Sequence, residues 1–163
     1  MKIVRIDEHN MLNGDGLRTV VWCSGCEHHC PNCQNPETWD YDYGHEITLT
    51  EENQIIDSIS PKWISGVTFS GGDPIYSKNR DGVLRLCKLI KTKEPSKTIW
   101  IYTGYTIDKI RQIFPEILEY IDVLVDGPFV QKLANIDYHW AGSTNQKVIY
   151  LKEDILNAKK MEK

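Results

Sequence analysis

The 163-residue sequence predicts an α/β fold, a partial, open parallel β/α barrel. Three observations carry that prediction. β-prone runs alternate with stretches of helical periodicity, the order that yields a parallel sheet with right-handed crossovers. Each of the first four predicted strands exits into a segment rich in Gly, Cys, Asp or Thr, as expected where the carboxyl ends of strands hold a ligand. The chain is also well short of the ~250 residues of a closed eight-unit barrel. One side is therefore expected to stand open and to admit a large substrate.

The elements follow in order. Leu17 to Trp22 (LRTVVW) is β-prone and preceded by Asn13-Gly14-Asp15-Gly16, whose N-G and D-G pairs mark a turn. Thr50 to Ser60 has Thr50 as its expected N-cap, acids in the first turn and Ile55, Ile56 and Ile59 at helical spacing, and it ends near Pro61. Gly66 to Phe69 is a second strand; it runs into Ser70-Gly71-Gly72-Asp73-Pro74 and then a helix carrying Val83, Leu84, Leu86, Cys87 and Ile90. Thr98 to Tyr102 is a third strand, ending at Thr103-Gly104-Tyr105, and Ile107, Ile110, Ile113 and Phe114 outline a helix before Pro115. Ile121 to Val125 ends at Asp126-Gly127-Pro128, and Lys147 to Leu151 reads as a fifth strand. The final segment, about 155–163, has the composition of a solvated or frayed end.

At 40% hydrophobic and 26% charged, with 11 Gly and 7 Pro, the chain is neither disordered, collagen-like nor a coiled coil. Its length suits a single domain over 1–163. A net charge of -4 argues against nucleic acid as a partner. The apolar runs are strand-length at best and the N-terminus has no signal-peptide core, so a cytoplasmic protein without a membrane segment is expected.

Cysteine placement carries the sharpest chemistry. Cys23, Cys26, Cys30 and Cys33 fall close together while Cys87 stands alone in a helical pattern. Cytosolic conditions disfavour disulfides, so the cluster of thiols reads as metal-binding or redox-active. From Cys26 the spacing is C-x3-C-x2-C, and Pro31 interrupts any continuous helix. Three thiolates holding a four-iron cubane leave one iron open to an exogenous ligand, as a catalytic zinc keeps a vacant position. All four together read C-x2-C-x3-C-x2-C, which would instead close a structural zinc or a fully ligated cluster.

The triad spacing resembles that of the radical S-adenosylmethionine superfamily. Asn13-Gly14, Gly16 and Arg18, then Gly25-Cys26-x-His28-x-Cys30-x-x-Cys33, Trp39, SGGDP at Ser70 to Pro74, TGY at Thr103 to Tyr105 and VLVDG at Val123 to Gly127 are similar to the branch that activates the anaerobic (class III) ribonucleotide reductase. The resemblance spans about Asn13 to Gln146 and implies the superfamily's partial barrel. It implies that Cys26, Cys30 and Cys33 ligate one [4Fe-4S] cluster per chain, whose open iron binds S-adenosylmethionine. Reductive cleavage would give a 5'-deoxyadenosyl radical that takes a hydrogen from a glycine of the reductase, leaving a glycyl radical. The implied partners are the large subunit of anaerobic ribonucleoside-triphosphate reductase and a reduced flavodoxin or similar electron donor. Gly71, Gly72 and Asp73 are implied to hold the methionine end through backbone groups; Asn32, Cys33 and Gln34 border the adenine; Thr103 approaches the methionine or ribose. No side-chain acid or base is required, because the cofactor performs the difficult step.

Other candidates have plainer readings. Cys23 ends an apolar strand and Cys87 lies on an apolar helix face, so both read as packing. His28 and His29 sit between ligands and read as loop hydrogen-bonders rather than metal ligands. Asp126 is either a turn former or functional. Trp39, Trp63, Trp100 and Trp140 read as core or interface fillers, with Trp140 near the GS-x-NQ run of Gly142 to Gln146. Lys88, Lys91, Lys93 and Lys97 resemble a solvated helix end. Two rival functions stand beside the main one: activation of another glycyl-radical enzyme of the formate-lyase type, and a zinc or electron-transfer module without S-adenosylmethionine chemistry.

Overall fold

The computed structural model describes residues 1–152. The expected solvated tail lies outside the described residues. The strands are β1 (Lys2–Asn10), β2 (Leu17–Cys23), β3 (His45–Glu46), β4 (Ile64–Gly71), β5 (Thr98–Tyr102), β6 (Val123–Asp126) and β7 (Lys147–Tyr150). The helices are α1 (Leu49–Ile59), α2 (Arg80–Lys93) and α3 (Ile107–Ile113). All seven strands join one sheet in the order β3-β1-β2-β4-β5-β6-β7.

The sheet is mixed, and the connections explain why. β2, β4, β5 and β6 pair parallel, and the crossovers between them carry α1, α2 and α3. No α-helix separates β6 from β7, so the chain folds straight back and β7 pairs antiparallel. β1 also pairs antiparallel with β2, through a register broken by two irregularities. It is a strand absent from the sequence expectation, because Arg5, Asp7 and Glu8 break up its apolar pattern and only Ile3 is fully buried.

Strand alternation divides the sheet into two faces. Val21, Cys23, Phe69, Ile99, Ile101 and Leu124 face the helices, packing with Ile55 and Ile59 of α1 and Leu86, Cys87 and Ile90 of α2. The other face carries Trp100, Val123 and Val125, covered by Trp140, Val148 and Tyr150. Arg18 lies fully buried beside Trp100, its guanidinium 5.3 Å from the indole. Nε donates to Thr68 Oγ1 at 2.8 Å, Nη1 to Thr98 Oγ1 and the Asp15 carbonyl, and Nη2 to the carbonyls of Val67 and Thr98. Every guanidinium N–H thus has an acceptor. Burial draws its pKa down to about 10, which still leaves it charged at neutral pH.

Three local expectations are corrected. Thr48 rather than Thr50 caps α1, in a capping box with Glu51, because Glu51 sits three residues on, where it can answer the Thr48 amide. Lys91 and Lys97 are not a solvated helix end: Lys91 pairs with Asp122 at 2.6 Å, and the Lys97 ammonium donates to the carbonyls of Pro61 and Ile64, each at 2.7 Å. Of the core and interface readings for Trp63 the core one is excluded, because it stands 71% exposed in the turn before β4.

Candidate functional site

The carboxyl ends of β2, β4, β5 and β6 open into the cysteine loop, Gly71-Gly72-Asp73, Thr103-Gly104-Tyr105 and Asp126-Gly127-Pro128. Backbone hydrogen bonds stitch the first two together. Gly72 N donates to Cys23 O and Asp73 N to Gly25 O, both at 2.8 Å. Gly25 N donates to Thr38 O at 2.8 Å and Cys26 N to Trp39 O at 3.1 Å, so the short turn at Pro36–Trp39 backs the loop. Glycine at 72 is what permits this approach: a Cβ there would lie 2.7 Å from Gly25 O and 2.8 Å from Thr38 O. Gly71 turns the chain out of β4 with φ +100.

The cysteine loop is shaped by its own sequence. Cys33 N donates to Cys30 O at 3.0 Å across Pro31 and Asn32, with Asn32 left-handed at φ 58. Proline followed by a left-handed asparagine suits a tight turn of the type II kind. His29, also left-handed at φ 44, stacks on Trp39 with ring centres 4.8 Å apart.

Each sulfur of the triad faces backbone N–H groups. The amides of His28 and His29 face Cys26, that of Phe129 faces Cys30, and Asn35 N donates to Cys33 Sγ at 3.4 Å. Burial nevertheless pushes the Cys26 thiol up to about 12 and raises that of Cys30, against the lowering effect of those amides. Cys23 and Cys87 are fully buried in the helix-side core, where desolvation raises both thiols further. None of the five cysteines is joined in a disulfide.

Asp73, 1% exposed, joins three of the four segments. Its Oδ1 accepts from Ile75 N at 2.8 Å and Thr103 Oγ1 at 2.9 Å; its Oδ2 accepts from Gly104 N at 3.1 Å and lies 2.8 Å from His28 Nε2. The hydrogen bond to Asp73 raises the His28 pKa. A second tie runs from the Tyr105 hydroxyl to the Glu27 carboxylate, and Tyr105 meets the His28 ring edge-on at 4.5 Å. Thr103 is buried, its hydroxyl donating to Asp73 and accepting from Tyr105 N at 3.1 Å.

Among the residues singled out from sequence, Cys26, Cys30, Cys33, Gly71, Gly72, Asp73 and Thr103 share this end of the sheet. Asn32 and Gln34 flank Cys33 and are exposed. Asp126 Oδ2 accepts from Ile107 N at 2.8 Å, where it secures the first turn of α3. Trp140 packs on Trp100 and donates Nε1 to Asp15 at 2.8 Å, on the sheet face below the loops. Gln146 organises the GS-x-NQ run by accepting from Gly142 N and Ser143 N and donating to Gly127 O. Sequence reasoning missed the Phe129 amide, the Thr38 carbonyl and the Glu27–Tyr105 tie. Of these only Tyr105 carried a signal, through TGY.

The donor set fits an iron–sulfur cluster. Soft thiolates suit it, and N–H groups directed at the sulfurs are among the means by which proteins tune such clusters. Among the described residues no three His, Cys, Asp or Glu side chains converge on one point as ligands of a single ion do. No helix there is long and apolar enough to cross a membrane. Similarity to known proteins agrees with the chemistry. The family model of the 4Fe-4S single cluster domain matches residues 12–149. The anaerobic ribonucleoside-triphosphate reductase-activating protein of Escherichia coli K12 is 39% identical over 145 residues, 88% of this chain and 94% of that one. Its counterpart in Vibrio cholerae is 40% identical over 141 residues (85% and 91%), and that of Enterobacteria phage T4 36% over 148 residues (91% and 93%).

Proposed function

The chain belongs to the 4Fe-4S single cluster domain family, among the anaerobic ribonucleoside-triphosphate reductase-activating proteins, and from that premise we propose that it activates an anaerobic ribonucleotide reductase by S-adenosylmethionine radical chemistry. Cys26, Cys30 and Cys33 would hold the [4Fe-4S] cluster. When bound, the cluster would supply the one electron that cleaves S-adenosylmethionine reductively, with methionine as the leaving group, and the hydrogen taken from a glycine α-carbon of the reductase would end on 5'-deoxyadenosine, leaving a glycyl radical. A reduced flavodoxin or similar carrier in the cytoplasm is the proposed source of that electron.

The chain's own part is to bind, orient and exclude. The amides of His28, His29, Asn35 and Phe129 stabilise thiolate charge on the three sulfurs. Gly71 and Gly72 keep the β4 loop free of side chains, so its backbone could approach the methionine end of the cofactor, while Asn32, Cys33 and Gln34 would border the adenine. The parallel strands β2, β4, β5 and β6, each opening its loop at the same end, support reading the sheet as an open barrel of the radical S-adenosylmethionine type.

The observation that carries the proposal is the placement of Cys26, Cys30 and Cys33 on a loop hydrogen-bonded to the glycine loop after β4, with Asn35 N donating to Cys33 Sγ and Cys23 withdrawn into the core. Anaerobic reconstitution tests it. Reduced protein is expected to release 5'-deoxyadenosine from S-adenosylmethionine and to raise a glycyl-radical signal by electron paramagnetic resonance on the reductase. Bound zinc without cleavage ends the proposal, and a radical raised only on a formate-lyase type partner reassigns the target.

A further inference from the structure

The x positions within C-x3-C are commonly read as spacers, yet here two of them are tied down. His28 Nε2 lies 2.8 Å from Asp73 Oδ2, and Glu27 accepts from the Tyr105 hydroxyl. The His28 ring is held on further sides. Tyr105 packs against it in a T-shaped contact with ring centres 4.5 Å apart, and Gly104 leaves it room, since a Cβ at 104 would stand 2.3 Å from His28 Cδ2 and 2.6 Å from Nε2. Asp73 in turn accepts from Ile75 N, Thr103 Oγ1 and Gly104 N, so its carboxylate is engaged by the protein on both oxygens.

We infer that His28 is a positioning residue: docked on Asp73 between Gly104 and Tyr105, it fixes the Cys26–Cys30 segment to the loops after β4 and β5 and so sets the placement of the sulfurs. Asp73 then contributes its backbone, not its carboxylate, to the cofactor side of the loop. The ring is held to the protein through Nε2, by its contact with Asp73. The consequence for a cluster rests on the function proposed above; the docking itself does not.

The test uses the full chain with His28→Ala, His28→Gln and Gly104→Ala. Glutamine can present its amide N–H near the position of Nε2, alanine removes the contact, and alanine at 104 displaces the ring while leaving it present. In iron-free protein, exchange of the Gly25 and Cys26 amides is expected to rise about tenfold or more in His28→Ala and Gly104→Ala, with His28→Gln close to the parent. After reconstitution, His28→Ala is expected to shift the midpoint potential and the electron paramagnetic resonance line shape of the reduced cluster, and His28→Gln to restore both. The inference is overturned if His28→Ala exchanges like the parent, or if His28→Gln is as impaired as His28→Ala. Should the parent protein fail to cleave S-adenosylmethionine, the proposed function falls while the exchange measurement still decides the docking.

Discussion

Asp73→Asn offers the strictest measure of how far the site depends on one carboxylate. The substitution replaces one acceptor oxygen with an NH2 group in a pocket only 1% exposed. Placed at Oδ1, the amide faces Ile75 N, which donates at 2.8 Å. Placed at Oδ2, it faces Gly104 N, which donates at 3.1 Å, and His28 can keep its contact only by accepting through Nε2. Either orientation strands one backbone N–H against another donor. An unsatisfied buried donor costs about 1–3 kcal/mol, and the remaining bonds lose the share that came from a charged acceptor. The sum is about 2–4 kcal/mol. For a chain of this size about 3 kcal/mol lowers the melting temperature by roughly 6–12 °C. Urea unfolding of the iron-free protein should show a lower midpoint at unchanged slope. A change below about 0.5 kcal/mol, the range of ordinary surface substitutions, would refute the reading of Asp73 as a buried junction.

Four further outcomes follow from the geometry. Cys23→Ala is expected to retain iron after reconstitution while Cys26→Ala, Cys30→Ala and Cys33→Ala each lose the cluster, as read by iron and sulfide quantitation. Gly72→Ala drives a Cβ against the carbonyls of Gly25 and Thr38; overpacking of about 1–3 kcal/mol and impaired cluster loading are expected, measured by urea unfolding and iron content. Arg18→Met removes the donors serving Thr68, Val67 and Thr98; a loss of about 3 kcal/mol or more, with an altered Trp100 environment by fluorescence, is expected. Thr48→Ala breaks the capping box and should cost about 1 kcal/mol in urea unfolding, with iron loading unchanged.

The readable parts of the fold are those whose determinants are local. β5 matches its predicted limits at Thr98–Tyr102 because its continuous apolar run is bounded by a turn sequence. α2 was legible from the spacing of Val83, Leu86, Cys87 and Ile90, all buried on one face. β1 was not, since a strand interspersed with Arg5, Asp7 and Glu8 carries no clean period. The same division holds at the site. Cysteine spacing points to the triad, but the Phe129 amide that faces Cys30 arrives from the connection between β6 and β7, far away in sequence. His28 and Asp73 are 45 positions apart, and Glu27 and Tyr105 are 78. Only the parallel sheet, by bringing its loops to one end, makes such pairs neighbours.

That arrangement separates the stability of the core from the geometry of the site. The helix side of the sheet is closed mainly by apolar contacts between strands and helices, with Ile75 and Tyr105 reaching in from the loops, and the other face by Trp100, Trp140 and Tyr150 around the satisfied Arg18. The loops themselves are joined mainly by hydrogen bonds: Gly72 to Cys23, Asp73 to Gly25, Gly25 to Thr38, and the carboxylate of Asp73 to Thr103 and Gly104. Such contacts contribute modestly one by one and are costly when half-made, so this end of the molecule should open locally at a lower free energy than the sheet beneath it. His28→Ala, which removes a contact at the rim of the clasp, is therefore expected to raise exchange at Gly25 and Cys26 more than within β4 and β5. If both regions instead accelerated together, the loops would be part of the cooperative core, and the division between scaffold and site would have to be abandoned.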